Sequence, residues 1–206
     1  MMIIYPLFSK VICTEDIPDI FFKEYELLKT KYEFQKINFE LENCSETSKD
    51  LHVLENFPKL KKTLLNYFLE FKRNVFRYEN TTFDITTSWV TKTEKGSQSE
   101  YHTHRNSYYS GILYISDTTL DFGKLEFLDS NCNQILPSPP TDFNIYNSSG
   151  WSIQPKKNLL VFFPSNLQHR IGTHNSETPR YSVAFNLFPI NKFGMRDSQL
   201  NIKNLK

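Results

Sequence analysis

Apolar positions follow two different rhythms along the 206-residue chain. Up to about Val75 they recur mostly at helical spacing; from Phe83 onward they come in short β-branched and aromatic runs broken by turns. Met2 to Val11 reads as a short edge strand, where Pro6 is tolerated because an edge residue need not donate to a ladder. Asp16-Ile17-Pro18-Asp19 then reads as a helix start, followed by Ile20, Phe21, Tyr25, Leu27 and Leu28. Asn38 to Lys49 is polar and reads as a loop. Asn56 as a cap ahead of Pro58 opens a second helix, whose stripe of Leu60, Leu64, Leu65, Phe68, Leu69 and Phe71 runs to about Val75. That stripe is expected to pack against a sheet.

Beyond Tyr78 the segments Phe83 to Thr93, a strand carrying His102 and His104, Ser110 to Ser116, Gly123 to Leu128, Trp151 to Gln154, Asn158 to Phe163 and Arg180 to Phe188 all read as strands. Gly96 to Ser99 is a turn, and Pro137 to Gly150 is a long polar connection. The tail from Asn191 is polar and expected to be peripheral. Short strands joined by turns, with no helices between them, suggest a sandwich or jelly roll behind an N-terminal helical part. The fold class expected is therefore β-rich α+β in one domain over 1–206. Helical support covers about 16–75 and a jelly-roll core about 78–190.

Composition narrows the class of protein. Aromatics make up 15%, with 18 Phe and 11 Tyr, which favours a folded, sheet-rich chain. With 24 basic and 23 acidic residues the net charge of +1 gives no reason to expect a nucleic acid or an anionic membrane as partner. Cys13, Cys44 and Cys132 are too far apart for a zinc ribbon and do not suggest a disulfide framework. No signal peptide or membrane-spanning run is expected, so the reading is a soluble, cytoplasmic protein.

The candidate chemistry begins at His102-Thr103-His104. Histidines two apart on a strand share a face and can reach one metal. His169 follows 65 residues after His104, beyond the run Leu159 to Pro164, as a third candidate ligand. Three imidazoles suit iron, zinc, nickel or copper alike, and three ligands leave coordination positions open, as a catalytic site requires. Arg180 lies eleven residues further on, with Ser182 on the same strand face. A guanidinium inside a barrel needs an anionic partner. If no acidic side chain supplies it, the carboxylate of a metal-bound ligand would, with the Ser182 hydroxyl sharing it. His174, in a polar turn, is expected to be exposed.

Taken together, His102-Thr103-His104-Arg105-Asn106-Ser107, Ser110-Gly111-Ile112-Leu113-Tyr114, Gly123-Lys124-Leu125-Glu126-Phe127, Phe163-Pro164-Ser165 through His169, and Arg180-Tyr181-Ser182-Val183-Ala184-Phe185-Asn186 resemble the iron- and 2-oxoglutarate-dependent dioxygenase superfamily. The wording is most similar to a poorly characterised bacterial and phage branch related to the prolyl-hydroxylase group. Trp89, Gly96 and Leu7-Phe8 also match that branch. The resemblance implies a double-stranded β-helix with buttressing helices. It implies Fe(II) held by His102 and His169, and 2-oxoglutarate chelating the metal with its far carboxylate on Arg180 and Ser182. Asn106 and Tyr114 stand where hydrogen bonds to cosubstrate or substrate would form. The implied reaction is hydroxylation of a C–H bond, on a small-molecule or peptidyl substrate such as a prolyl side chain.

One position departs from the pattern. Where the superfamily usually places Asp or Glu two residues after the first histidine, this chain has His104. Either His104 is the third metal ligand, the reading preferred here, or it stands behind the ligands and a carboxylate such as Asp117 or Asp121 completes the site. Two rival readings follow. Gly96 with His102, His104 and His169 also fits a cupin-type three-histidine metal enzyme, although no glutamate follows His104 at cupin spacing. A non-catalytic jelly-roll module, carbohydrate-binding or virion-associated, is the other.

Overall fold

The structure, a computed structural model, describes residues 2–38, 40–117, 122–129 and 138–202. Asp121 and Cys132 lie outside the described residues. The chain forms a double-stranded β-helix: a large antiparallel sheet faces a smaller one, and two helices cover the large sheet's outer side.

The large sheet runs β1 (Cys13–Asp16), β8 (Leu159–Pro164), β5 (Tyr109–Tyr114), β10 (Arg180–Phe193), β4 (Thr82–Thr93), β3 (Glu46–Ser48), β2 (Phe34–Lys36), with β11 (Leu200–Ile202) paired to the far end of β10. The small sheet runs β7 (Gly150–Ile153), β6 (Leu125–Leu128), β9 (Gln168–Ile171). Its free side is continued by one antiparallel bridge, His102 to His169.

The central strands β5 and β8 are buried on both faces and read as continuous apolar runs. Alternation divides their side chains between two cores. Tyr109, Leu113, Leu160 and Phe162 point to the helices, joined by Val183, Phe185 and Leu187 of β10. Ile112, Tyr114, Leu159, Val161 and Phe163 point between the sheets, with Ala184, Leu125 and Phe127. Helix α2 (Pro58–Phe71) buries Leu60, Leu64, Phe68 and Phe71 at spacings of four, four and three, one face of a 3.6-residue repeat. Phe68 lies 5.1 to 5.7 Å from the rings of Phe83, Phe162 and Tyr109. Each such fully buried Leu or Phe contributes roughly 1.5–3 kcal/mol. The stripe therefore packs against a sheet, as its spacing predicts.

Several boundaries differ from those expected. Residues 2–12 form no strand: Pro6 withholds an N–H, Phe8 takes a left-handed φ of 60°, and pairing starts only at Cys13, opposite Phe162. Asp16 ends that strand, so helix α1 (Phe22–Thr30) starts later than the Asp16–Asp19 signal; it buries Tyr25 and Leu28 and leaves Leu27 in solvent, where Ile20 ahead of it also lies. Asn56 closes a 3-10 turn, Val53–Asn56, and the cap of α2 is Phe57, with Pro58 in the first turn. The polar stretch 38–49 contains β3, which extends the sheet through Thr47↔Thr91. The tail is not wholly detached, because β10 runs on to Phe193 and pairs with β11. No helix among the described residues is long and apolar enough to cross a membrane.

Candidate metal and cosubstrate site

Strand β10 organises the interior. Its residues Arg180, Ser182, Ala184 and Asn186 share one face, opposite Thr93, Thr91, Trp89 and Thr87 of β4, while Ser182, Ala184 and Asn186 stand opposite Tyr114, Ile112 and Ser110 of β5. The space between the sheets is thus apolar in the middle and polar at both ends. Arg180 stands at one end and Asn186 at the other.

At the Asn186 end three histidines converge. Ring centroids are 4.4 Å apart for His102 and His169, 4.9 Å for His104 and His169, and 5.2 Å for His102 and His104. One nitrogen from each lies within 4.8 Å of the other two, a spacing at which one ion can bind all three. The segment 102–104 is not a strand of regular ladder, contrary to the expected alternation. His102 exchanges backbone hydrogen bonds with His169 (3.0 and 3.1 Å), and His104 N–H donates to Ser165 O (2.8 Å). These bonds to the partner chain segment, rather than a strand's pleat, turn both rings inward. His169 sits within β9 and packs on Phe163 at 4.5 Å.

Every one of the three rings has its Nδ1 occupied. His102 Nδ1 donates to Glu100 O (2.9 Å), His169 Nδ1 to Leu167 O (2.9 Å), and His104 Nδ1 to Asn186 Oδ1 (2.8 Å), with Ser110 Oγ beside it at 2.9 Å. An acceptor at Nδ1 fixes the tautomer and leaves the Nε2 lone pair for a metal. Burial, followed by the nearby His102, holds His169 down to about 3 and His104 to about 4, the Asn186 bond opposing the shift at His104. Both are neutral near pH 7, the form that ligates. Among the described residues no carboxylate joins the cluster. Asp117 is 86% exposed at its side chain and pairs with Lys157 at 3.1 Å.

At the other end Arg180 is fully buried. Its Nη1 donates to Gly123 O (2.8 Å) and its Nη2 to Thr93 Oγ1 (3.0 Å), and the guanidinium lies 5.5 Å from the Tyr114 ring. Gly123 is required here: a Cβ would come 1.9 Å from Gly172 O, so any side chain would push the Arg180 acceptor away. No carboxylate pairs with Arg180 among the described residues, and both its Nε and the buried Tyr114 hydroxyl lack a hydrogen-bond partner. Burial alone pushes the guanidinium's pKa downward, with Tyr114 opposing. A charged donor facing a neutral, polar-walled interior, beside an orphaned hydroxyl, suits an incoming carboxylate.

The remaining expected residues fall as follows. Ser182 is buried one rung from Arg180, opposite Tyr114. Asn106 is an exposed turn residue with φ of 60°, a conformation asparagine tolerates. His174 is wholly buried rather than exposed: its Nε2 meets Thr178 O at 2.9 Å and its ring packs on Phe122, since the polar turn folds under Gly96. Asn186, Ser110, Thr93 and Gly123 carry roles that the chain's motifs alone do not assign. For Asn186, Ser110 and Thr93 the one signal is the period-two alternation on β10, β5 and β4, visible only after the strands are paired.

Comparison with known proteins fits this geometry. Residues 87–186 match the family described as "Putative 2OG-Fe(II) oxygenase". Residues 87–186, which carry the three histidines and Arg180, thus match a family of the iron- and 2-oxoglutarate-dependent oxygenase superfamily. That superfamily consists of oxidoreductases whose cofactors are Fe(II) and 2-oxoglutarate. Among solved structures the fold is similar to the epimerase SnoN from nogalamycin biosynthesis, at 10% identity and TM-score 0.65, covering 88% of this chain and 80% of that one. It is similar to HygX from Streptomyces hygroscopicus, bound to nickel, 2-oxoglutarate and hygromycin B, at 10% identity and TM-score 0.59, covering 87% and 83%. It is also similar to a Pseudomonas putida prolyl-4-hydroxylase, at 12% identity and TM-score 0.57, covering 86% and 93%. A comparison with curated protein sequences finds no match.

Proposed function

We propose that this oxygenase holds Fe(II) on His102, His104 and His169, binds 2-oxoglutarate toward Arg180, and hydroxylates a C–H bond of a small-molecule or peptidyl substrate. The observation that carries the reading is Arg180: a fully buried guanidinium with no carboxylate beside it among the described residues and one N–H unpartnered. Leaving such a charge unpaired costs several kcal/mol, and a dicarboxylate reaching in from the histidine end relieves it.

Each residue then has a definite task. The three Nε2 atoms are the ligands, aimed by Glu100 O, Leu167 O and Asn186 Oδ1, and burial keeps His104 and His169 neutral. Arg180 and the Tyr114 and Ser182 hydroxyls receive the far carboxylate. Ile112, Ala184, Val161 and Phe163 line the space between and keep it dry, which strengthens both polar ends. Bound together, Fe(II) and 2-oxoglutarate supply oxidative decarboxylation of the cosubstrate to succinate and carbon dioxide and transfer of an oxygen atom from O2 to the substrate. With His104 in place of a carboxylate the protein ligands carry no charge, so the metal's two positive charges are met by 2-oxoglutarate alone.

Anaerobic titration with Fe(II) and 2-oxoglutarate tests the reading through the visible charge-transfer band of the chelated metal. Wild type should show the band, His104→Ala should lose it, and Arg180→Met should require far more 2-oxoglutarate. Because Arg180→Met removes an unpaired buried charge, it should leave the thermal midpoint unchanged or raised. Fe(II) binding without any 2-oxoglutarate-dependent band would remove the oxygenase assignment and favour a cupin-like three-histidine site.

A further inference from the structure

A groove of about 210 Å³ opens beside His102. Its volume lies below the ~300–1,000 Å³ of pockets for drug-sized ligands and fits a side-chain-sized group. One wall is apolar: Ile37, Leu41 and the buried Cys44. The other is the chain leading into the metal cluster, with Glu100, Tyr101 and His102. The walls are tied together by backbone bonds, Ser45 N–H to Gln98 O (2.9 Å) and Gln98 N–H to Asn43 O (3.3 Å). The groove is therefore preformed rather than a gap between loose loops.

Its charge is one-sided. Asn38 Nδ2 donates to Glu100 Oε2 at 3.1 Å, which aims the carboxylate. Glu100 has no ion pair among the described residues. Arg170, which lies over the Tyr101 ring at 4.8 Å, is paired with Glu126 at 2.7 Å. An apolar wall facing a single uncompensated carboxylate is complementary to a methylene chain with a cationic end.

Resting on the oxygenase reading above, we infer that this groove is the substrate site and takes an aliphatic chain ending in an ammonium or guanidinium group. The methylenes lie along Ile37, Leu41 and Cys44, and the cation pairs with Glu100. The arrangement also sorts the two carbon substrates by charge. Arg180 attracts the dicarboxylate cosubstrate, while Glu100 repels it from the groove.

The test uses the protein loaded anaerobically with Fe(II) and 2-oxoglutarate and reads how added probes perturb the charge-transfer band. The probes are N-acetyl-lysine amide, N-acetyl-arginine amide, free lysine, neutral N-acetyl-norleucine amide and N-acetyl-glutamate amide. The lysine or arginine amide should perturb the band at about tenfold lower concentration than the norleucine amide, in keeping with a charge-assisted hydrogen bond. Glu100→Gln should erase that difference, and Glu100→Lys should turn the preference toward the glutamate amide. If the acylated amide outperforms free lysine the cation comes from a peptide; the reverse order makes it a free amino acid. A band that forms normally but responds equally to lysine and norleucine probes, or keeps its preference in Glu100→Gln, overturns the inference and leaves the oxygenase reading standing. Absence of the band removes both.

Discussion

At the scale of single residues, the unusual feature is how His104 is held. A carboxylate at its position would bring its own charge and two lone pairs; an imidazole must be turned so that one specific nitrogen faces the metal. Asn186 Oδ1 does this at 2.8 Å, and Asn186 is itself fixed by its Nδ2 bond to Thr87 Oγ1 (3.0 Å) and by Ser110 Oγ (2.9 Å). Ser110 continues through Ser165 and Ser107, so a chain of hydroxyls backs the imidazole. Asn186→Leu removes the acceptor and should weaken Fe(II) or Co(II) binding about 10–100-fold. Asn186→Asp keeps an acceptor oxygen and should retain most of the affinity. Direct metal titration of both variants checks this, and equal losses in the two would show that Asn186 matters only for packing. The histidines, Arg180 and Ser182 were legible in the chain as motifs. The role of Asn186 was not, because an asparagine 82 positions from His104 says nothing until β10 is laid beside β5.

At the scale of elements, strands β5 and β10 decide the geometry of the site, since each contributes to both cores. Their contact is closest at Gly111, directly opposite Phe185. A Cβ on Gly111 would come 2.2 Å from the Phe185 ring, which is fully buried and backed by Phe162 at 6.1 Å. Gly111→Ala should therefore cost about 1–3 kcal/mol, the usual penalty for overpacking a filled core. Urea unfolding should show a lower midpoint with an unchanged slope. A wild-type midpoint would mean that the ring has room to move. The periodicities of α2, β4, β5, β8 and β10 were readable because each has an apolar pattern strong enough to identify its type. The N-terminal arm was misread for a physical reason: Ile3, Ile4 and Leu7 look like a strand, yet a strand needs an edge to pair with, and they remain in solvent. The small strands β2 and β3 escaped notice because their short, mostly polar runs gain order from pairing, β3 with β4 and β2 with β3, rather than from an apolar pattern.

For the molecule as a whole, the site makes stability depend on pH. His104 and His169 lie at about 4 and 3 in the folded chain, against roughly 6.5 once unfolded. Below about pH 6.5 the unfolded chain takes up protons that the folded one refuses, so stability falls as the pH drops toward 3–4 and is insensitive to these two groups above about 7. At pH 5 the loss should be on the order of 2 kcal/mol per histidine at most. Urea midpoints of the metal-free protein at pH 7.5 and 5 should show the decline, and replacing His104 and His169 by Gln should flatten it. A flat profile in the wild type would mean that these rings are protonated in the folded state.

The sequence by itself determined helix α2, the central strands β4, β5, β8 and β10 and the identity of the charged and metal-seeking side chains, because periodicity and residue chemistry are local properties. Tertiary structure alone decided which of them meet. It brought His169 onto His102 through a single bridge, buried His174 instead of exposing it, and, among the described residues, placed Arg180 where no carboxylate reaches it and left Glu100 without an ion pair beside an apolar wall. Convergence of distant residues depends on strand register and burial, and neither is written in any one segment of the chain.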